Sequence, residues 1–305
     1  MARTTQSGDR RDPAQHAVAI AHAVDKAWNT SNHTGRREVA LSIVAALSLV
    51  GQRDPSGDDL ASQFRSQGPA EFTATMRDLY TVFINARPDL VHLVYPLMAW
   101  MFDEPEASLQ HAAKHVADAA LSEGQLGLSG TNRRYDTDLL GVVLTALKSD
   151  SARGANAQIY TPAPVADVMS RMLLIGSRPI EEGTRFLDPA VGTGGLFRAA
   201  AESMRERGQD PAAVSWYGAD IDELAIAACA VNSHLWGLGS RVLLCVTNPL
   251  AEADWERRAE AQRAEVLSLT NAVRRDKLMI NALRRVQKLT ELADEHNATA
   301  EGTTT

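Results

Sequence analysis

The first part of the chain has apolar residues at helical spacing, interrupted by short polar or glycine-containing breaks. Alanine, valine and leucine recur every three or four positions in the segments 13–29, 35–51, 71–102 and 106–121. This periodicity is typical of helices that bury at least one face. Breaks lie at 32–35, 51–57 and 68–69, and the glycine-containing stretch 124–131 is expected to form a loop. The pattern predicts an all-helical N-terminal domain over residues 1–134.

From residue 135 the pattern changes, because short apolar runs begin to alternate with helical segments. The runs that resemble strands lead into Asp188 and occupy 213–222 and 241–246, with helices predicted over 196–207 and 223–235. Strands that alternate with helices indicate a parallel sheet with helical crossovers. The predicted fold class is therefore α/β, with a partial Rossmann-like sheet of about three parallel strands over residues 135–250. Ligands of such sheets bind beyond the carboxyl ends of the strands.

The C-terminal segment contains neither glycine nor proline between 252 and 293. Its apolar residues fall near a heptad seam, with Asp276 and Gln287 interrupting it; the seam consists of Val266, Leu269, Val273, Ile280 and Leu283. We expect one long helix or a helical hairpin over 251–293, followed by a disordered polar tail at 294–305. A basic cluster between 270 and 288 is either a solvated helix face or a surface for a protein partner or the DNA backbone.

The composition is that of an ordinary soluble globular protein, with 45% hydrophobic and 23% charged residues among 305. A net charge of −7 argues against bulk electrostatic binding of nucleic acid, although a local basic face is compatible with it. No apolar run reaches the ~20 residues of a membrane span, and the N-terminal residues lack an apolar signal core. Two cysteines without CxxC spacing suit a reducing compartment. We therefore expect a cytoplasmic protein without membrane contact or a metal site.

The stretch "LDPAVGTGGLF" joins the first predicted strand to a helix through three glycines, Gly192, Gly194 and Gly195. A purely structural turn is one interpretation; the other is a cradle for a polar or anionic ligand at a helix N-terminus. A P-loop sequence is absent. The dinucleotide pattern requires a small residue where Phe197 stands, which disfavours NAD. S-adenosylmethionine (AdoMet) remains, and Asp220 at the end of the second strand is suited to accept both ribose hydroxyls.

Three segments in this order resemble one enzyme family. The segments are "AQIYTPAPVADVM", "FLDPAVGTGGLF" and "YGADIDELAIAACAVNSHLWGLG". They resemble N6-adenine DNA methyltransferases, and in particular the modification subunits of type I restriction-modification systems. The resemblance covers roughly residues 136–250, about a third of the chain, and implies AdoMet as cofactor and DNA as a partner.

The resemblance also implies roles for individual residues. Tyr160, Thr161 and Pro162 would line the methionine end of AdoMet. The loop around its carboxylate and amine would be formed by Asp188, Gly192, Thr193 and Gly194. Asp220 would hold the ribose, and Asn248 would take the place of the acid that contacts the adenine ring in the family. Asp222, two residues after Asp220, either joins the site or begins the next helix.

The chain departs from the family pattern at the motif that receives the target base. The family carries (Asn/Asp)-Pro-Pro-(Tyr/Phe) after a fourth strand, and this motif binds the flipped adenine. Here "NPL" at 248–250 follows the third strand and lacks the second proline and the aromatic residue. The resemblance thus predicts a methyltransferase-like subunit that is incomplete alone and meets a specificity or complementary methylase subunit through its C-terminal helix. The alternative is a non-catalytic interaction, regulatory or DNA-associated protein that uses a degenerate methyltransferase scaffold and its C-terminal helix.

Overall fold

The computed structural model describes residues 11–51, 59–148, 163–174 and 180–301, and the chain there is a mixed α/β protein. Three strands are present: β1 Arg185–Asp188, β2 Ser215–Asp220 and β3 Val242–Val246. The α-helices of the described residues are α1 Pro13–Asn29, α2 Arg37–Ser48, α3 Leu60–Ser66, α4 Pro69–Ala86, α5 Val91–Met98, α6 Ala107–Ser122, α7 Gln125–Ser129, α8 Leu139–Ala146, α9 Ala163–Leu174, α10 Gly195–Glu206, α11 Glu223–Leu235 and α12 Trp255–Glu301.

The N-terminal part is helical as predicted, with two local differences. The continuous pattern over 71–102 is broken after Ala86, because Pro88 disfavours helical backbone at Arg87 and short 3-10 turns flank α5. The loop prediction for 124–131 is wrong, since α7 forms there. Gly124 provides the left-handed backbone (φ 83°) on which α7 begins, and the apolar side chains of Leu126 and Leu128 are buried.

The sheet has the order β1-β2-β3, all parallel, with β2 in the centre. This confirms the predicted three-stranded parallel sheet. On one face Trp216 stacks on Phe186 with 4.9 Å between ring centroids and packs against Phe197 of α10. Among the described residues β1 pairs only with β2, and Leu187 on this outer strand is 50% exposed.

The opposite face of the sheet is covered by the start of the C-terminal helix. Trp255 and Ala259 of α12 are buried against Ala219 of β2 and against Leu243 and Cys245 of β3. The helix is a single element of 47 residues, so it is the long helix rather than the hairpin of the two predicted forms. It continues through Glu301, beyond residue 293 where the sequence pattern placed its end.

One hydrophobic cluster runs from the helices of the N-terminal part to the sheet. It contains Ile20 of α1, Ile43 of α2, Val231 of α11 and Leu244 of β3. α1 packs against α8, and α11 packs against α5, so apolar contacts cross the predicted boundary at residue 135. The part of the chain that contains the sheet and its glycine loop therefore shares a core with the helices of the N-terminal part.

Membrane-spanning helices are not found in the described part of the chain, since none of its helices combines sufficient length with sufficient apolarity.

Candidate cofactor-binding site

The loop between β1 and α10 adopts the backbone that its glycines permit. Gly192 and Gly194 have φ angles of 53° and 96°, in a region of backbone conformation that residues other than glycine rarely adopt. A Cβ atom on Gly194 would lie 3.0 Å from Cζ3 of Trp236 and 3.1 Å from Sγ of Cys229. Glycine at 194 is therefore required both by conformation and by the close approach of α11.

The loop ends at the N-terminus of a twelve-residue helix whose first amides are free of intrahelical partners. Gly194 is the N-cap of α10 and provides no side-chain acceptor. The first helical bond there joins the Arg198 amide to the Gly194 carbonyl at 2.9 Å. The amides of Gly195, Leu196 and Phe197 thus point out of the helix end, where the helix dipole favours a carboxylate or another polar acceptor.

Asp220 ties the glycine loop to the end of the central strand. Its Oδ2 accepts a hydrogen bond from the Gly192 amide at 2.9 Å, and its Oδ1 accepts one from the Asp222 amide at 2.9 Å. Each carboxylate oxygen has a further acceptor position, because a carboxylate accepts about four hydrogen bonds in total. Asp220 can therefore hold the loop and still accept hydroxyl groups of a ligand.

Asp188 lies on the other side of the same loop, at the end of β1. Its Oδ1 accepts a hydrogen bond from the Ala190 amide at 3.0 Å, and the residue is 9% exposed. Burial raises the pKa of the Asp188 carboxyl, the Ala190 amide lowers it, and the nearby charge of Asp220 raises it again. Two carboxyl groups thus flank the loop and give this edge of the sheet a negative electrostatic potential.

Asp222 belongs to the next helix rather than to the ligand site. Its Oδ1 accepts hydrogen bonds from the amides of Leu224 at 2.9 Å and Ala225 at 3.3 Å, which makes it the N-cap of α11. Its Oδ2 pairs with Nζ of Lys148 at 3.0 Å. Of the two roles open to Asp222 from the sequence, the structure selects the helix cap.

Asn248 lies at the same edge of the sheet as Asp220. The Thr247 amide donates to the Asp220 carbonyl at 2.9 Å, which places Asn248 directly beyond that contact. The side chain is exposed, and its Oδ1 accepts from the Leu250 amide at 3.1 Å in a tight turn. The side-chain amide nitrogen remains a donor for a ring such as adenine, so Asn248 stays the predicted adenine contact.

Behind the loop lies a polar cluster that the sequence pattern did not indicate. Asp138, the N-cap of α8, accepts hydrogen bonds from Thr193 Oγ1 at 2.5 Å, Asn232 Nδ2 at 2.8 Å and the Gly141 amide at 2.9 Å. Asn232 also donates to the Thr193 carbonyl at 2.9 Å. The only sequence signal at Asp138 is its position before an apolar helix, which indicates a cap and not a contact 55 residues away.

The structure brings together six of the nine predicted site residues at the carboxyl edge of the sheet. These six are Asp188, Gly192, Thr193, Gly194, Asp220 and Asn248. The remaining three, Tyr160, Thr161 and Pro162, lie outside the described residues.

Comparison with known proteins finds a matching family and similar solved structures. The segment 136–267 matches the N-6 DNA Methylase family. The methyltransferase subunit of a type I restriction-modification system from Streptococcus thermophilus is similar at 16% identity and a TM-score of 0.47, over 78% of this chain. The chain spans 59% of the length of that subunit. No curated protein gives a significant match. Residues 136–267 are thus similar to the N-6 DNA Methylase family.

Proposed function

We propose that this chain binds AdoMet at the glycine loop and takes part in methylation of adenine N6 in DNA. The observation that carries the proposal is the placement of the Asp220 carboxylate, which accepts a hydrogen bond from the Gly192 amide beside the first amides of α10, which have no intrahelical acceptor. A ligand with ribose hydroxyls and an amino-acid carboxylate requires acceptors and donors in this arrangement. The family of residues 136–267 supports the same ligand.

In this proposal each group of AdoMet has a chemical counterpart at the edge of the sheet. The carboxylate of its methionine part is an acceptor for the amides at the start of α10, and the negative potential of Asp188 and Asp220 suits its ammonium group. Asp220 accepts the ribose hydroxyls, and the exposed Asn248 amide contacts the adenine ring. When bound, AdoMet supplies the methyl group; the residues named here bind and orient it.

The target base requires further groups that we propose a second polypeptide supplies. Acceptors for the adenine N6 amine come in this family from an Asn-Pro-Pro-aromatic motif, and no such motif follows β3 in the sequence. The chain offers an extended surface for a partner, because Leu269, Val273 and Met279 of α12 are each at least 60% exposed. The resemblance to type I modification subunits favours a specificity or complementary methylase subunit as this partner.

Calorimetry with AdoMet tests the cofactor site directly. We expect Asp220→Ala to weaken AdoMet binding by about tenfold or more, because the ribose hydroxyls of AdoMet and the Gly192 amide lose their acceptor. Asp254→Ala removes an exposed carboxylate that pairs with Arg257 on α12 and is the matched control. A wild-type chain that does not bind AdoMet at millimolar concentration would refute the cofactor site.

Transfer of tritiated methyl groups from AdoMet to adenine-containing duplex DNA tests the need for a partner. We expect no turnover with the chain alone and turnover when the product of the adjacent open reading frame is added. Multiple turnovers by the chain alone would show that the acceptor groups lie within it.

A second candidate function rests on the basic part of α12. Arg274, Arg275 and Lys277 are all exposed, with Asp276 as the one opposing charge among them. A surface of this kind binds the DNA backbone or an acidic partner without a need for AdoMet. DNA retention that decreases with salt and is unchanged by AdoMet would favour this non-catalytic role over methyl transfer.

A further inference from the structure

The cluster behind the glycine loop connects three separate elements through one carboxyl group. Asp138 precedes α8, Thr193 belongs to the loop, and Asn232 lies in the third turn of α11. Asn232 uses both of its amide hydrogens within the cluster, one on Asp138 and one on the Thr193 carbonyl. Thr193 thus forms two hydrogen bonds behind the loop: its hydroxyl donates to Asp138, and its carbonyl accepts from Asn232.

The contacts of Thr193 indicate how the cluster acts on the loop. Thr193 is 2% exposed, so its side chain is part of the protein interior rather than of a ligand-facing surface. Because its hydroxyl and carbonyl are turned inwards, the neighbouring amides of Gly195 and Leu196 are left to face the open end of the helix. The cluster fixes the direction of donors that the proposed ligand would use.

Gly141 allows α8 to approach the loop this closely. A Cβ atom at this position would lie 2.3 Å from Asp138 Oδ2 and 2.5 Å from Thr193 Oγ1. No side chain fits in that space, so the contact between the carboxyl group and the hydroxyl depends on glycine here. Burial raises the pKa of Asp138, whereas the hydrogen bonds from Thr193, Gly141 and Asn232 lower it, as does the positive charge of Arg198.

We propose that Asp138 and Asn232 are positioning residues that hold the glycine loop in the shape required by the amino-acid end of AdoMet. The inference rests on the proposed function, since it assigns a role within that same site. Neither residue needs to touch the ligand; both act through Thr193. Removal of either should therefore affect the part of the ligand that the loop binds and spare the part that Asp220 and Asn248 bind.

Binding affinities for two ligands distinguish this positioning role from a general contribution to the stability of the protein. AdoMet contains the amino-acid part, and 5′-methylthioadenosine contains the adenosine and sulfur but lacks it. We expect Asp138→Asn and Asn232→Ala to weaken AdoMet binding by about tenfold, with the affinity for 5′-methylthioadenosine changed by less than about twofold. Equal weakening of both ligands, or unchanged AdoMet affinity in both variants, would overturn the proposal.

Ser233→Ala is the matched control. Ser233 is buried in the same helix next to Asn232, but its hydroxyl donates within the helix, to the Cys229 carbonyl at 2.7 Å, and not to the loop. We expect the control to leave the ratio of the two affinities unchanged. A wild-type chain that fails to bind AdoMet would refute the proposed function, whereas wild-type binding with unaffected variants would refute only the positioning role.

Hydrogen exchange of the free protein gives a measurement that requires no ligand. We expect Asn232→Ala to accelerate exchange in a peptide spanning 189–198 and to leave a peptide spanning β2 unchanged, because the Thr193 carbonyl loses its donor and Asp138 loses one of its three. Asp138→Asn retains the shape of the side chain and gives the same test if Asn232→Ala does not fold. Loop exchange that stays at the wild-type rate in the folded variant would overturn the proposal.

Discussion

At the scale of single residues, Gly194 combines a backbone angle and a packing contact that exclude other side chains. Its φ of 96° strains any L residue, and an added Cβ atom would crowd Trp236 and Cys229. We predict that Gly194→Ala lowers the free energy of unfolding by ~2 kcal/mol, from left-handed backbone strain and a crowded Cβ atom. Urea denaturation followed by circular dichroism measures this change.

Gly195→Ala is the natural control for that substitution. Gly195 is the first residue of α10, its backbone is not left-handed, and an added Cβ would meet no atom of the described residues within 4 Å. We expect its free energy of unfolding to stay within ~0.5 kcal/mol of wild type. Equal destabilisation by both substitutions would show that the left-handed backbone and close contacts of Gly194 do not cause the loss of stability, because Gly195 has neither.

The two cysteine thiols give a prediction about reactivity. Burial raises the pKa of the Cys229 thiol well above its usual range, and the carboxyl groups of Asp138 and Asp188 raise it further. Burial also raises the pKa of Cys245. Since the thiolate is the reactive form, we predict that neither thiol reacts with Ellman's reagent at pH 8 in the native protein and that both react after unfolding. Rapid labelling of Cys229 without denaturant would contradict the buried site.

At the scale of elements, local sequence signals predicted some segments well and could not predict others. The helix α11 begins and ends at the predicted residues, because Asp222 caps its start and Gly237 follows its end. The break after Ala86 was missed because apolar periodicity continues across Pro88, the local signal that ends the helix. The short helix α7 was missed because burial of Leu126 and Leu128, rather than a long periodic pattern, accompanies it. Asp138 was missed as part of the site because its partners are 55 and 94 residues away along the chain, a proximity that only the fold creates.

The start of α12 is the element whose packing stabilises the second face of the sheet. Trp255 is 5% exposed and covers Ala219, Leu243 and Cys245. We predict that Trp255→Ala lowers the free energy of unfolding by ~3 kcal/mol, because removal of this large side chain leaves a cavity against the sheet. Leu269→Ala, on the exposed part of the same helix at 60% exposure, is expected to change it by less than ~0.5 kcal/mol.

Thermal unfolding of the two variants measures both effects on one scale. A similar loss for Leu269→Ala and Trp255→Ala would show that the distal part of α12 is buried in the protein as purified, for example by a second copy of the chain. If Trp255→Ala itself lowered the stability only slightly, α12 would not be required to cover the sheet.

At the scale of the whole molecule, the continuous core decides whether the part of the chain that contains the sheet is an independent folding unit. The helix α11 is buried on nearly all sides: its residues Ala225 to Val231 are at most 1% exposed. Part of that surface faces α2, α5 and α8, and the first two of these belong to the N-terminal part. The stability of the glycine loop therefore depends on helices that precede the family-matched segment.

This dependence predicts the behaviour of a shortened chain. A polypeptide of residues 135–301 would expose the apolar surface of α11 that α2 and α5 cover, and we expect it to aggregate or to unfold without a cooperative transition. The full chain is expected to show one cooperative transition in calorimetry, because its largest apolar cluster crosses residue 135. Addition of a separate polypeptide of residues 11–134 should restore solubility if the two parts recognise each other through this core. A soluble, cooperatively unfolding 135–301 fragment would instead establish the predicted boundary at 135 as a true domain boundary, and the contacts of α11 with α5 would then be an interface between two independently stable domains.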